Sequence, residues 1–259
     1  MSDFLIRSNS DGVATLTLNR PQARNSLCLD LLLAMEGELS VLAKDETAKV
    51  VIIAGAGPAF CAGHDLKEMR EANFAPSLME RIFIACSRVM LAITRLPKPV
   101  IAQVHGVATA AGCQLVASCD LAVAAADSRF ATPGVNIGLF CSTPMVPLSR
   151  AVGRKAAMQM LLTGDLIGAE KALELGLINE IVAPEQLADH TMALAKKLAA
   201  KSSLTMAIGK AAFYNQSDMD LDEAYAYASQ VMVENMAAED AQEGIAAFLD
   251  KRPPLWKGC

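Results

Sequence analysis

The chain has 259 residues, of which 53 % are hydrophobic and 20 % charged, a composition typical of a folded globular protein rather than a disordered or fibrous one. A net charge of −5 disfavours nucleic acid or an anionic membrane surface as the main partner, because either would require a concentrated basic patch. The sequence has no apolar stretch of membrane-spanning length, and its first residues lack the basic-then-apolar order of a secretory leader. We therefore expect a cytoplasmic protein with neither a nucleic-acid nor a membrane partner.

The seven cysteines are odd in number and lack both C-x-x-C spacing and a nearby histidine at metal-ligand spacing. This pattern excludes a disulfide framework and predicts no metal site. Most of them lie among Ala, Val and Met, where a free thiol acts as a small buried hydrophobe in a reducing compartment.

Short apolar runs alternate with helical periodicity along most of the chain. Residues 4–7 and 13–18 flank a Ser10-Asp11-Gly12 turn and predict a β-hairpin. The next predicted elements, in chain order, are a helix over 29–43, a strand over 50–54, a helix over 76–94, and strands over 100–104 and 121–125. Because these strands are continuously apolar, we expect an α/β fold whose sheet is covered on both faces.

After Ala183 the strand signals end and only helical periodicity continues, over residues 185–200, 204–214, 221–236 and 239–249. We divide the chain into a core over 1–200 and a helical region over 201–259. The helical region is interpreted as a lid or a subunit interface, two alternatives that the sequence leaves open.

Three segments rich in small residues follow predicted strands, at 55–66, 105–114 and 130–144. Glycine lets a backbone approach a ligand closely, and a helix beginning at the second segment would expose unpaired N–H groups. Two such groups from separate loops, directed at one carbonyl oxygen, would form an oxyanion hole. On the residues alone, the alternative is that these glycine-rich segments are turns that only connect a strand to the next element.

Five ordered motifs resemble the enoyl-CoA hydratase/isomerase (crotonase) superfamily over essentially the whole chain. They are Arg20-Pro21-x-Ala23-x-Asn25-Ser26-Leu27, the segment 60–66 (FCAGHDL), the segment 98–106 (KPVIAQVHG), the segment 112–120, and 162–178. The resemblance implies a spiral of ββα units followed by helices that form a subunit interface, usually in a homotrimer or a dimer of trimers. It also implies an acyl-CoA substrate, with no bound prosthetic group, whose thioester oxygen is held by two backbone amides.

By motif position, the resemblance assigns those two amides to His64 and Ala111, and Ala111 stands where the family usually has glycine. The same resemblance makes Arg24 and Lys251 candidate contacts of the coenzyme A phosphates or adenine, with a solvated surface charge as the alternative reading of each. The other candidate coenzyme A contacts are Ala62, Asp65 and Leu66, and Asp65 is equally suited to cap a helix.

The chain departs from the family at both acid/base positions. Hydratases of the family use two glutamates, and the matching positions here hold Gln114 and Gly134. An amide cannot accept a proton near neutral pH and glycine has no side chain, so efficient hydration is not expected. The segment 132–144 most resembles a subgroup, enoyl-CoA hydratase domain-containing protein 3, whose members also lack both glutamates.

Two hypotheses follow for the activity. The first is an acyl-CoA enzyme that stabilises a thioester enolate in the oxyanion hole, with Gln114 positioning water or substrate. The second is a non-catalytic acyl-CoA-binding or scaffolding protein that has lost the acid/base pair. Cys141 is a further candidate, since its position matches the nucleophilic aspartate of the family's dehalogenases, although a thiol there would require activation.

Overall fold

A computed structural model describes residues 3–259. The strands are β1 (Leu5–Ser10), β2 (Val13–Leu18), β3 (Val50–Gly55), β4 (Val100–Val104), β5 (Val107–Thr109), β6 (Leu121–Ala125), β7 (Arg129–Ala131), β8 (Ile167–Gly168) and β9 (Glu180–Val182). The helices are α1 (Leu29–Lys44), α2 (Leu66–Glu71), α3 (Pro76–Arg95), α4 (Ala111–Ser118), α5 (Met145–Ala151), α6 (Arg154–Thr163), α7 (Ala169–Glu174), α8 (Leu187–Ala199), α9 (Ser203–Gln216), α10 (Leu221–Ala237) and α11 (Glu239–Leu249). Short 3₁₀ turns lie at Pro21–Ala23, Pro133–Ile137 and Pro184–Gln186.

The main sheet has six strands in the order β1-β2-β3-β4-β6-β9. The β1–β2 hairpin is antiparallel, and every other neighbouring pair is parallel. Successive residues of β3 point to opposite faces, so Val51 and Ile53 join the larger core while Val50 and Ile52 join a smaller one. Buried residues of α1 and α3 belong to the larger core and those of α8 to the smaller one, so the predicted two-sided cover of an α/β sheet is confirmed.

A second, smaller sheet has the order β5-β7-β8 and was not predicted. Its strands are two or three residues long, too short to show a periodicity in the sequence. The parallel pairing of β5 with β7 places the segments 110–114 and 132–144, which follow these strands, at the same edge of this sheet.

The helical end of the chain agrees with the prediction, because helices α8 to α11 replace the strands after β9. Helices α9 and α10 contain no buried residue in the single chain, although they are 14 and 17 residues long. The division at residue 200 stays a prediction. None of the helices in the described part of the chain combines the length and apolar character needed to cross a bilayer.

One polar cluster attaches α9 to the sheet. Lys210 Nζ donates to the carbonyl oxygens of Ile93 (2.8 Å) and Lys98 (2.9 Å) and to Asp120 Oδ2 (2.6 Å). Asp120 also accepts from the hydroxyl of Tyr214 (3.0 Å). The Lys210 side chain is only 8 % exposed, so this ammonium group satisfies acceptors that water reaches poorly.

Replacing Lys210 with methionine should therefore destabilise the protein. Lys210→Met keeps the buried stem but removes a charged donor shared by three acceptors, so we expect the free energy of unfolding in urea to fall by about 2–3 kcal/mol. The exposed Lys197 provides the matched control, and Lys197→Met should change stability by about 0.5 kcal/mol at most. Equal effects of the two substitutions would show that the cluster contributes no stability.

Candidate active site

The loop after β3 is held in place by Asn25, which is completely buried. Its side-chain Nδ2 donates to the carbonyl oxygens of Ala56 (2.8 Å) and Ala59 (2.7 Å), and its Oδ1 accepts from the backbone N–H of Arg20 (2.9 Å). A side chain at Gly55 would approach the same Nδ2 to within 2.8 Å. The hydrogen bonds of Asn25 therefore hold the loop after β3, residues 55–66, which is called the first loop below. This is the structural role of the motif at residues 20–27.

The first loop is clamped to the start of α4. The N–H of Cys61 donates to Val107 (3.1 Å), and the Cys61 carbonyl accepts from the N–H of Thr109 (3.0 Å). A Cβ atom at Gly112 would stand 2.1 Å from the Cys61 carbonyl oxygen, so only glycine permits this approach of the helix. The two loops therefore form one unit.

Two backbone N–H groups next to this contact, those of His64 and Ala111, have no hydrogen-bond acceptor in the described part of the chain. Leu27 donates to the Gly63 carbonyl (2.8 Å) and accepts from the N–H of Asp65 (3.0 Å), so the N–H of His64, between them, points away from Leu27. Ala111 is the first residue of α4, where an N–H has no partner within the helix. Within residues 3–259, neither of these two N–H groups donates a hydrogen bond.

The backbone preceding Ala111 is strained. Ala110 has φ +50° and ψ −116°, a conformation that glycine adopts readily and alanine does not. Its Cβ would lie 2.9 Å from a Cβ placed on Gly63, which itself has φ +99°. Ala111, which stands where the family usually has glycine, is itself helical. The strain lies one residue earlier, in the residue that aims the Ala111 N–H.

Gln114, the first of the two positions that the resemblance matches to a glutamate, lies within α4 and is 3 % exposed. Its Oε1 lies 3.8 Å from the thiol of Cys86 on α3, a weak contact that orients the amide. Sequence reasoning did not single out Cys86, although the helical spacing of α3 places it on the buried face.

At Gly134, the second position that the resemblance matches to a glutamate, later residues of the same loop fill the space that a side chain would occupy. A Cβ there would come within 2.9 Å of both the Cys141 thiol and the Leu139 carbonyl oxygen. A glutamate therefore cannot enter this position without moving the backbone at residues 139–141.

Cys141 packs into this closed position and is 7 % exposed. Burial raises the pKa of its thiol, while a hydrogen bond from the Gly134 backbone opposes that rise in pKa. No cationic side chain takes part in this shift. The surroundings therefore keep the thiol protonated near neutral pH, which disfavours the nucleophile hypothesis.

The side chain of His64 lies beside the oxyanion-hole candidate. Its ring meets Phe83 of α3 edge-on, with ring centroids 5.1 Å apart. Burial lowers the pKa of His64 to about 4, so the imidazole is neutral at pH 7. Sequence reasoning assigned a role only to the backbone of this residue.

The candidate coenzyme A contacts divide into two kinds. Asp65 is committed within the protein, since it caps α2 by accepting from the N–H of Lys67 (3.0 Å) and pairs with Arg20 (2.8 Å). Ala62 donates its N–H to the Arg24 carbonyl (3.0 Å), which places Arg24 beside the first loop.

The other three candidates for coenzyme A contacts are exposed side chains. Leu66 is half exposed, and the charged ends of Arg24 and Lys251 have no hydrogen bond or ion pair in the part of the chain that the structure describes. Lys251 follows α11, and no hydrogen bond joins it to the loops of the site. Among residues 3–259, no three His, Cys, Asp or Glu side chains lie close enough together to hold a metal ion.

Comparison with known proteins establishes the class. Residues 8–259 match the sequence profile of the family described as enoyl-CoA hydratase/isomerase. The chain belongs to this family, the crotonase superfamily, as the motifs predicted.

Within the family, the chain is similar to mouse enoyl-CoA hydratase domain-containing protein 3, mitochondrial, with 51 % identity over 246 residues, 95 % of this chain and 82 % of the relative. The crystal structure of the human protein of that name has a TM-score of 0.94 at 48 % identity, covering 98 % of this chain and 100 % of the other. The structure of an enoyl-CoA hydratase from Mycobacterium smegmatis has a TM-score of 0.95 at 54 % identity, covering 98 % of each chain. The predicted subgroup resemblance is confirmed.

The expected cytoplasmic location is wrong on this comparison, because the mouse, rat and human relatives are all named mitochondrial. That expectation rested on the absence of a secretory leader pattern and on unpaired cysteines. A secretory leader differs in composition from a mitochondrial targeting segment, and free thiols suit any reducing compartment, so neither feature identifies the cytoplasm.

The closed position at Gly134 can be tested by adding one methyl group. Gly134→Ala should lower the free energy of unfolding by about 1–3 kcal/mol through overpacking. Gly37 lies exposed on α1 with open space around it, so the control Gly37→Ala should stabilise by up to about 1 kcal/mol.

Cys141→Ala should reduce the cost of Gly134→Ala without abolishing it, because the Leu139 carbonyl still opposes the added methyl. Urea unfolding of the unmodified protein, the two single variants and the double variant measures the coupling free energy between positions 134 and 141. An unchanged stability of Gly134→Ala would show that the loop retracts freely and can admit a larger side chain.

Proposed function

We propose that this protein binds acyl-CoA thioesters and polarises the thioester oxygen with the backbone N–H groups of His64 and Ala111. These groups would stabilise a thioester enolate or a tetrahedral intermediate, while Gln114 positions water or substrate. The observation that carries the proposal is the pair of uncommitted N–H groups on two loops that Cys61 and Gly112 lock together. Membership of a family named for enoyl-CoA supports the thioester as ligand.

Efficient hydration by the two-glutamate route is not part of the proposed function. Gln114 offers an amide where that route needs a proton acceptor, and the loop at Gly134 excludes a carboxylate. Loss of a single general base typically lowers a rate by about 10²–10⁴-fold. The same two features favour the alternative function, an acyl-CoA-binding protein without catalysis.

Assembly into a homotrimer or a dimer of trimers belongs to the same proposal. No residue of α9 or α10 is fully buried in the single chain, although Lys210 attaches α9 to the sheet, and helices of this length normally bury their apolar side chains. Apolar side chains more than half exposed on these two helices are Phe213, Leu221, Tyr225, Met232, Val233 and Met236. A surface of this kind marks a protein interface, and sedimentation velocity is expected to give three or six chains per particle.

The function is tested by incubating the protein with short, medium and branched acyl- and enoyl-CoA thioesters and following all products by mass spectrometry. Ala111→Pro removes one N–H at the first residue of a helix, where that N–H has no partner within the helix to lose. Ala110 before it (φ +50°, ψ −116°) lies outside the extended conformation that proline favours in its preceding residue, so circular dichroism and thermal melting first establish that the variant keeps its fold. We expect this substitution to lower any turnover by about 10²–10³-fold, the usual cost of losing one oxyanion-hole donor.

Arg154→Pro controls for proline at the first residue of a helix, since Arg154 is the exposed first residue of α6 and Gly153 before it has the extended conformation that proline requires (φ −60°, ψ 144°). Its turnover should equal that of the unmodified protein. Equal turnover in Ala111→Pro, with the fold intact by circular dichroism, would refute the oxyanion-hole assignment. Retention of one thioester without turnover would instead establish the binding-protein alternative.

A further inference from the structure

Within residues 3–259, the imidazole of His64 makes no hydrogen bond. Its Nε2 is sealed from solvent without a partner, whereas Nδ1 is not among the sealed atoms and stays open to a ligand. Most buried polar side-chain atoms in native proteins are hydrogen-bonded, so the unpartnered Nε2 calls for an explanation. Phe83 supplies only an edge-on ring contact.

Burial is the cause of the low pKa of His64, about 4, and neither a carboxylate nor a cation contributes to that shift. A neutral imidazole carries its proton on one nitrogen and a lone pair on the other. A sealed acceptor without a partner is tolerated better than a sealed N–H, which favours the tautomer with the lone pair on Nε2 and the proton on Nδ1.

A single methylene joins this imidazole to the backbone whose N–H is the proposed partner of the thioester oxygen. Under the proposed function, the first carbons of a bound acyl chain would therefore lie near the ring. On α3, Phe83 contacts His64 and Cys86 contacts Gln114, so an imidazole and an amide pack against positions one helical turn apart.

We propose that His64 is a specificity-determining residue that donates an Nδ1–H hydrogen bond to an uncharged hydroxyl or keto oxygen on the first carbons of the acyl chain. The protein would then prefer acyl-CoA thioesters that carry such an oxygen over plain ones. A carboxylate is disfavoured at this point, because no cation near the ring would replace its hydration. The inference rests on the proposed function, since it requires the thioester to be held at His64 and Ala111.

Calorimetric titration tests the preference. Butyryl-CoA is compared with 2-, 3- and 4-hydroxybutyryl-CoA, with free coenzyme A measured as the reference for the non-acyl part. We expect at least one hydroxylated thioester to bind about three- to tenfold more tightly than butyryl-CoA, the range that one net hydrogen bond provides. The position of the preferred hydroxyl group reports which acyl carbon faces His64.

Three variants separate the hydrogen bond from the shape of the ring. His64→Phe keeps the ring without its nitrogens, and its ratio of hydroxybutyryl-CoA to butyryl-CoA affinity should fall to about one. His64→Asn places an amide N–H near the position of Nδ1 and should retain part of the preference. His64→Gln places its amide near the position of Nε2 and should lose it. Circular dichroism and thermal melting of each variant check that the fold is kept.

Nitrogen NMR provides a readout that a purely structural role would not change. The chain has only three histidines, so comparison with His64→Phe assigns the His64 signals. We expect the Nδ1–H tautomer in the free protein and a shift of the Nδ1 signal with the preferred thioester that butyryl-CoA does not cause.

The outcomes distinguish this inference from the proposed function. Equal binding of plain and hydroxylated thioesters, or an unchanged preference in His64→Phe, overturns the role of His64 and leaves the proposed function standing. Failure of every thioester to bind, butyryl-CoA included, overturns the proposed function and this inference with it.

Discussion

The approach of α4 to the Cys61 carbonyl is the constraint on which the site depends. It is possible only because Gly112 has no side chain, since even a methyl group would stand 2.1 Å from that oxygen. Cys61 also hydrogen-bonds to β5 on both sides, so the loop after β3 and the start of α4 move as one body. The directions of the His64 and Ala111 N–H groups follow from this contact rather than from either loop alone.

The same constraint explains why a strained residue persists. Ala110 has a positive φ that costs free energy for any residue with a Cβ, yet the clamp and the hydrogen bond from its N–H to the Ala131 carbonyl (2.9 Å) hold it there. Strain of this kind survives where the surrounding structure over-determines the backbone. The start of α4 thus keeps its position beside the first loop although Ala110 has a conformation that glycine adopts more easily.

The two positions at which the resemblance places the carboxylates of the family's hydratases carry no acid or base. Gln114 is a buried amide, and Gly134 is closed by its own loop. Beside them lies His64, a buried imidazole whose pKa is lowered by burial alone. The side chains of Gln114 and His64 are therefore neutral at pH 7, and under the proposed function they are better suited to hydrogen-bond an acyl chain than to exchange protons with it.

The sequence by itself determined the α/β class, the strands of the main sheet, the long helices and the family, because periodicity and ordered motifs are properties of neighbouring residues. Through the family resemblance it also predicts the two amides at His64 and Ala111 and the absence of both glutamates, at Gln114 and Gly134. It did not reveal the second sheet, whose strands are too short for a periodicity, nor the compartment named for the relatives. Only the tertiary structure decided that the Gly134 position is closed, that the strain lies at Ala110, and that the imidazole of His64 is left without a partner. Each of these depends on contacts between segments far apart in the chain, and packing of that kind leaves no local pattern in the sequence.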